Sequence, residues 1–196
     1  SKLEIDKDAE FAGAHLIVKD NSNTTIKGAL TVKSFVDVDV VNGGIVKNYG
    51  GIKIAKSNLN VGGVADFTNS DLVVQNGSKV MFGNNFTMKN TENRTKKSMI
   101  ILDNGSEINV KGNFESHGII YYGASADSAP KITVDGKATL ENTTEIGIYA
   151  TSGLNQAVFL ESKEAIENEA TDENIYAMYF DPDNEYANEE GLVKYD

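Results

Sequence analysis

One nine-residue frame recurs along most of this chain: apolar, polar, apolar, a three-residue turn, apolar or Ala, polar, apolar. It reads "LEIDKDAEF" from Leu3, "LTVKSFVDV" from Leu30 and "LNVGGVADF" from Leu59, then "VMFGNNFTM" from Val80, "INVKGNFES" from Ile108 and "ITVDGKATL" from Ile132. Successive copies start 27, 29, 21, 28 and 24 residues apart. Alternation within each half of the frame is the signature of a strand with one buried face, and a phrase repeated at 20 to 50 residues is that of a solenoid. The fifth copy departs from the frame by placing Ser116 at an apolar position.

A second phrase precedes several copies, as "LIVKDNSN" from Leu16, "LVVQNGSK" from Leu72 and "IILDNGSE" from Ile100. Each unit therefore holds a strand, an Asn-rich turn, a strand, a Gly or Lys turn and a third strand, which is what one coil of a parallel β-helix requires. The turns are rich in Asn and Gly, the residues that tolerate a left-handed backbone, and only 2 prolines occur in 196 residues. Stacking the fourth and fifth copies predicts Lys79 beside Glu107, Val80 beneath Ile108, Phe86 beneath Phe114 and Asn76 beneath Asn104. Asn76-Gly77 and Asn104-Gly105 are also hairpin signals, so an antiparallel sandwich or barrel is the rival. Hairpins give no reason for a three-strand phrase at a nearly constant offset. The expected fold is all-β, a right-handed parallel β-helix of about six coils. Handedness is inferred from the coil length and from the absence of a six-residue repeat.

Charge divides the chain in two. Residues 160–196 carry twelve acidic residues against two lysines, whereas residues 1–159 carry seventeen acidic and sixteen basic ones. This predicts a β-helix over residues 1–154 and an acidic terminal coil or cap over 155–196. In that tail "NQAVFLESKEAIENEA" reads as a strand passing into a helix-friendly stretch, and "IYAMYF" as a further strand. A net charge of −11 with a single arginine, Arg94, argues against nucleic acid. The longest apolar runs fall far short of the ~20 residues that span a bilayer, so no membrane insertion by this segment is expected. The chain contains no cysteine, hence no thiol nucleophile, disulfide or Cys-based metal site. It opens at Ser1 without a signal peptide, as a processed or excised fragment would.

Phrases such as "NGSEINVKGNFES" and "APKITVDGKATLENTTEIGIYATSG" resemble the β-helical passenger domains of bacterial type V secreted proteins, the autotransporters and filamentous haemagglutinin-like adhesins. The resemblance covers about residues 3–154 and lies in style rather than in a diagnostic motif. It implies an exported rod displayed outside the cell or on the bacterial surface, with host or neighbouring-cell proteins or glycans as partners.

Candidate chemistry is sparse. Asp37 and Asp39 stand two apart, as on one strand face, and the frame aligns Asp66 with Asp37. Clustered acids of this kind serve polysaccharide lyases and hydrolases of β-helical fold. His117-Gly118 matches part of the Gly-His-Gly stretch of pectin hydrolases. His15 and His117 are the only histidines and show no metal-ligand spacing. Asp181, Asp183 and Glu185 could form a loose oxygen site, although Tyr186 and Leu192 stand where an EF-hand needs Gly and Glu. Sequons at Asn23, Asn76, Asn85, Asn93, Asn104 and Asn142 read as turn chemistry. The segment "NRTKKS" reads as a loop between coils, and Arg94, Lys96 and Lys97 are its candidate ligand-facing residues. No catalytic residue, cofactor or metal ligand is assigned. The expected role is structural and adhesive, with ligands met through loops. A polysaccharide-active enzyme and a phage tail-fibre segment are the alternatives.

Overall fold

A computed structural model of the chain describes residues 1–12, 15–18, 21–33, 51–91, 97–103, 105–125, 128–151 and 157–180. Among these residues the strands form three parallel sheets of seven strands each, one strand from every coil entering each sheet. The protein is a parallel β-helix. The first sheet is built from Lys2–Ile5, Asn23–Ile26, Asn58–Val61, Lys79–Phe82, Glu107–Val110, Lys131–Val134 and Leu160–Ser162. The second runs through Ala9–Ala12, Leu30–Lys33, Ala65–Thr68, Phe86–Lys89, Phe114–Ser116, Ala138–Leu140 and Ile166–Asn168. The third runs through His15–Val18, Gly51–Ala55, Asp71–Gln75, Met99–Asp103, Ile119–Ala124, Glu145–Thr151 and Ile175–Phe180.

The register between the fourth and fifth coils is the one the repeat predicts. Lys79 pairs with Glu107 and Val80 with Ile108, and Phe86 lies against Phe114. Leu16, Ile52, Leu72 and Ile100 likewise form one inward row across the third sheet. The copy read from Leu30 is corrected. Leu30 pairs with Ala65, and the residue beside Leu59 is Thr24, which also pairs with Leu3. The second coil therefore reads "TTIKGALTV" from Thr24. Thr24 is 2% exposed, so a polar residue occupies the inward position that an apolar search passes over. Threonine is nearly isosteric with valine and carries the β-branch that suits a strand, so the coil survives the exchange.

The acidic tail is a coil rather than a helix over its described part. Leu160–Ser162, Ile166–Asn168 and Ile175–Phe180 extend all three sheets, joined by a single 3-10 turn at Asp172–Asn174. Glu161 and Glu167 take outward positions beside Thr133 and Thr139 and pair with Lys131 and Lys137 of the coil before. Charge does not oppose the stack here, because outward positions are solvated and alternate in sign.

The core is the space enclosed by the three sheets. It contains Phe67, Phe82, Phe86 and Phe114, all fully buried, with Phe86 stacked on Phe82 at 4.3 Å and on Phe114 at 5.4 Å. Each such ring withdraws enough apolar surface to contribute about 1.5–3 kcal/mol.

Corners are closed by side chains that bond from coil to coil. Between the first and second sheets, Asp8 Oδ1 accepts the N–H of Ala29 at 2.8 Å, Asn85 Oδ1 that of Asn113 at 2.9 Å, and Asn113 Oδ1 that of Lys137 at 3.0 Å. Between the third and first sheets, Ser22 donates its N–H to Ser57 Oγ and Ser57 its own to Ser78 Oγ. The third corner uses Ser70 and Ser98 in the same way, at 3.2 Å. Asn21, Lys56 and Asn76 adopt positive φ of 59°, 49° and 57° where the chain leaves the third sheet, which confirms turn chemistry for Asn76. Asn104 lies outside the described residues. Asn76 gives its N–H to Asp103 Oδ1, and among the described residues asparagine side chains bond from coil to coil at Asn85–Asn113 and at Asn58–Asn23.

Candidate functional site

The three outer faces differ in kind. Outward residues of the first sheet are mainly Lys, Glu, Asn and Thr, tied into a ladder of ion pairs. Lys27 bridges Glu4 and Asp6 at 2.7 Å each, Lys79 meets Glu107 at 3.2 Å, and Asp135 is held by Lys163 at 2.7 Å and Lys111 at 3.0 Å. The ammonium groups of Lys27 and Lys2 hold the Glu4 carboxyl down at about 2, and Lys163 and Lys111 lower that of Asp135.

The outer face of the third sheet is apolar and aromatic. One outward row passes through Ile17, Lys53, Val73, Ile101, Tyr121, Gly147 and Tyr176, apolar or aromatic from Val73 onward, and the row beside it carries Met99 and Ile119. Gly147 is buried beneath two rings: a Cβ there would stand 2.6 Å from Tyr121 Cδ1 and 2.9 Å from Tyr176 Cε2. Tyr149 packs edge-on to Tyr121 at 5.5 Å and is 37% exposed, and the Tyr176 hydroxyl donates to the Tyr121 hydroxyl at 3.1 Å. Partial burial raises the Tyr149 and Tyr176 hydroxyls above the ordinary range, so they remain neutral donors at physiological pH. Asp71, Asp103 and Glu145 border this face from neighbouring outward positions.

The outer face of the second sheet gathers Glu115, His117 and Glu141, whose nearest ligating atoms all lie within 4.8 Å of one another. His117 Nε2 is hydrogen-bonded to Glu115 Oε1 at 2.6 Å. The first two residues alternate outward on one coil. Glu141 stands one coil on, its N–H bonded to the carbonyl of Ser116. Sequence spacing gave no metal signal for His117, because the partner carboxylate is 24 residues away. That distance is the offset between the Ile108 and Ile132 copies, so adding the repeat offset to His117 finds Glu141.

Of the residues singled out from sequence, Arg94, Lys96, Asp37, Asp39, Asp181, Asp183 and Glu185 lie outside the described residues. Lys97 forms an ion pair with Glu145, on the third sheet two coils on, so this ammonium is engaged. Ser98, next to it, is fully buried, and its Oγ donates to the carbonyl of Lys89. Asp66 pairs with Thr31, not with Asp37, and its carboxylate faces Lys89 at 3.8 Å. His15 opens its strand at one end of the third sheet, six strands from the other end. Ser116, the frame-breaking residue, points inward and is fully buried; its Oγ accepts the N–H of Gly118 and its carbonyl accepts the Thr144 hydroxyl.

Among the described residues no helix is long and apolar enough to cross a membrane. Comparison with protein-family models, with curated proteins and with solved structures found no match to this chain.

Proposed function

We propose that this chain is a structural and adhesive β-solenoid segment of a secreted or surface-displayed protein, and that it engages glycan on a host or neighbouring cell. The observation that carries this reading is the tyrosine cluster on the outer face of the third sheet. A sheet face turned to solvent is ordinarily polar, as the other two are, and a contiguous apolar face marks a contact surface. Tyrosine faces carry negative quadrupole charge and meet the C–H groups of a sugar ring, while their hydroxyls bond its polar edge. The coils that carry the tyrosines place aromatic and aliphatic side chains on this face, and Lys97 beside it is paired with Glu145, so the favoured ligand is a neutral glycan. The in-register coils supply rigidity, because each strand has hydrogen-bonded neighbours across the coil interface.

The resemblance to passenger domains of type V secreted proteins supports the extracellular placement. The lyase or hydrolase alternative gains nothing from Asp66, which faces a lysine rather than a second carboxylate.

A binding screen of the intact chain against neutral glycans, acidic glycans and host-surface proteins tests the proposal. Binding to neutral glycans that falls at least ~tenfold in Tyr121→Ala and Tyr149→Ala is the expected result. Selective binding to acidic glycans or to protein alone, or no binding above background, would overturn it.

A further inference from the structure

We infer that Glu115, His117 and Glu141 form a binding site for a divalent transition cation of the zinc type, which joins the fifth and sixth coils. The donor set decides the class. One imidazole nitrogen and two carboxylate oxygens form a mixed set that suits a borderline ion such as Zn²⁺, whereas Ca²⁺ and Mg²⁺ prefer oxygen alone.

The geometry is close to what such an ion needs. Ligands at about 2.0–2.2 Å from zinc stand roughly 3.3–3.6 Å apart on a tetrahedron. The three donor atoms already lie within 4.8 Å of one another. Rotation of two half-exposed glutamates closes the difference without moving the backbone, and His117 exchanges its hydrogen bond to Glu115 for the metal. The backbone at His117 is fixed from two sides. Its carbonyl accepts the Asn90 side-chain amide at 2.5 Å and the Thr143 hydroxyl at 3.1 Å. Three ligands from the protein leave at least one position for water or for an external donor.

Local charge favours a cation. The set holds two carboxylates, and two lysines of this sheet have partners outside it: Lys137, which also feels the charges of Glu115 and Glu141, is bonded to Glu167 at 2.8 Å, and Lys89 faces Asp66 at 3.8 Å. A bare acidic patch would bind any hard cation weakly. The histidine makes this site selective, and that difference is measurable.

The test is isothermal titration of the intact chain with Zn²⁺ alone, with Ca²⁺ and Mg²⁺ as comparison ions, together with thermal unfolding at each metal concentration. Zn²⁺ is expected to bind at one site and raise Tm, as an ion that binds the folded chain in preference must. His117→Ala and Glu141→Gln are each expected to weaken binding at least ~tenfold and to abolish the Tm shift. Glu107→Gln, an acidic residue on the first sheet outside the set and paired with Lys79, should leave binding within about twofold. Circular dichroism of each variant establishes that it is folded. Three results would overturn the assignment: no Zn²⁺ binding up to about 1 mM, equal binding of Ca²⁺, or Zn²⁺ affinity unchanged in folded His117→Ala.

Discussion

Asn85 accepts the backbone N–H of Asn113 through its side-chain Oδ1 at 2.9 Å, and this bond accounts for a glycine on the coil that it reaches. A Cβ at Gly112 would stand 2.3 Å from that same oxygen and 2.7 Å from the Asn85 nitrogen. The relation recurs. Asp8 bonds Ala29 beside Gly28, and Asn113 bonds Lys137 beside Gly136. Where the preceding coil offers Val64 or Lys137 instead of Asn or Asp, the glycine position holds Asn84 or Glu164, whereas Gly63, which follows Ala29, is a glycine because a Cβ there would meet the Ala29 backbone nitrogen at 2.7 Å. The corner side chain draws successive corners together, and the next coil must then lack a side chain at that point.

Gly112→Ala is therefore expected to destabilise the protein by about 1–3 kcal/mol, the usual cost of forcing an extra carbon into a closed site. Glu164→Ala, at the matching corner of the seventh coil, should change stability by less than ~0.5 kcal/mol. Urea denaturation of both variants checks the contrast. Equal effects would show that the corner bond does not set the glycine.

Among the described residues, Phe86 has the most ring neighbours in the core. It stacks on Phe82 and Phe114 and meets Phe67 edge-on at 5.5 Å. Phe86→Ala should cost about 3–5 kcal/mol, since the surrounding coils cannot collapse around the space it leaves. Met81, one position along an outer row and 41% exposed, is the control. Its replacement by Ala should cost under ~0.5 kcal/mol by the same denaturation measurement.

Much of this was legible in the sequence, and the rest was hidden for identifiable reasons. Lys79 opposite Glu107 and Phe86 under Phe114 could be read because register preserves both chemistry and spacing. Thr24 concealed the second coil, since a buried threonine looks polar in a search for apolar positions. The seventh coil was concealed by its outward row, where Glu161, Lys163, Glu164 and Glu167 imitate helical spacing although Leu160 and Ile166 keep the frame. Neither the tyrosine cluster nor the Glu115–His117–Glu141 set could be seen in any local window. Each joins residues of successive coils and shows only when the offset between those coils is added, as 24 residues added to His117 reaches Glu141.

Stability should fall in acid for a reason traceable to named pairs. Lys27 and Lys2 hold the Glu4 carboxyl at about 2 in the folded chain, against 4.5 for an ordinary glutamate. Asp135 is lowered by Lys163 and Lys111, and Glu161 by Lys131. A carboxyl that is more acidic when folded contributes stability that is complete above its unfolded value and is lost as pH falls through the folded one. The melting temperature is therefore expected to hold near neutrality and to decline from about pH 4.5 towards about pH 2. These groups are exposed, so the decline should be shallower in about 1 M salt, where the pairs are screened at every pH. A salt-independent decline would assign acid lability to some other group.

Gly147 links the proposed contact face to the backbone beneath it. The absence of a side chain lets Tyr121 and Tyr176 close over this point and join their hydroxyls at 3.1 Å. A methyl group at 147 would meet the two rings rather than backbone, and rings on the outer face can rotate away. Gly147→Ala is thus expected to cost little stability, under about 1 kcal/mol, while it opens the ring cluster. Near-ultraviolet circular dichroism should change as the tyrosines lose their fixed packing. Spectrophotometric titration should place at least one tyrosine closer to the ordinary value of 10.0, because the burial that raises Tyr176 is relieved. Glycan binding by the same variant should weaken along with these signals. A variant with an unchanged tyrosine spectrum and titration would mean that the rings owe their arrangement to their own packing, with no requirement for glycine at 147.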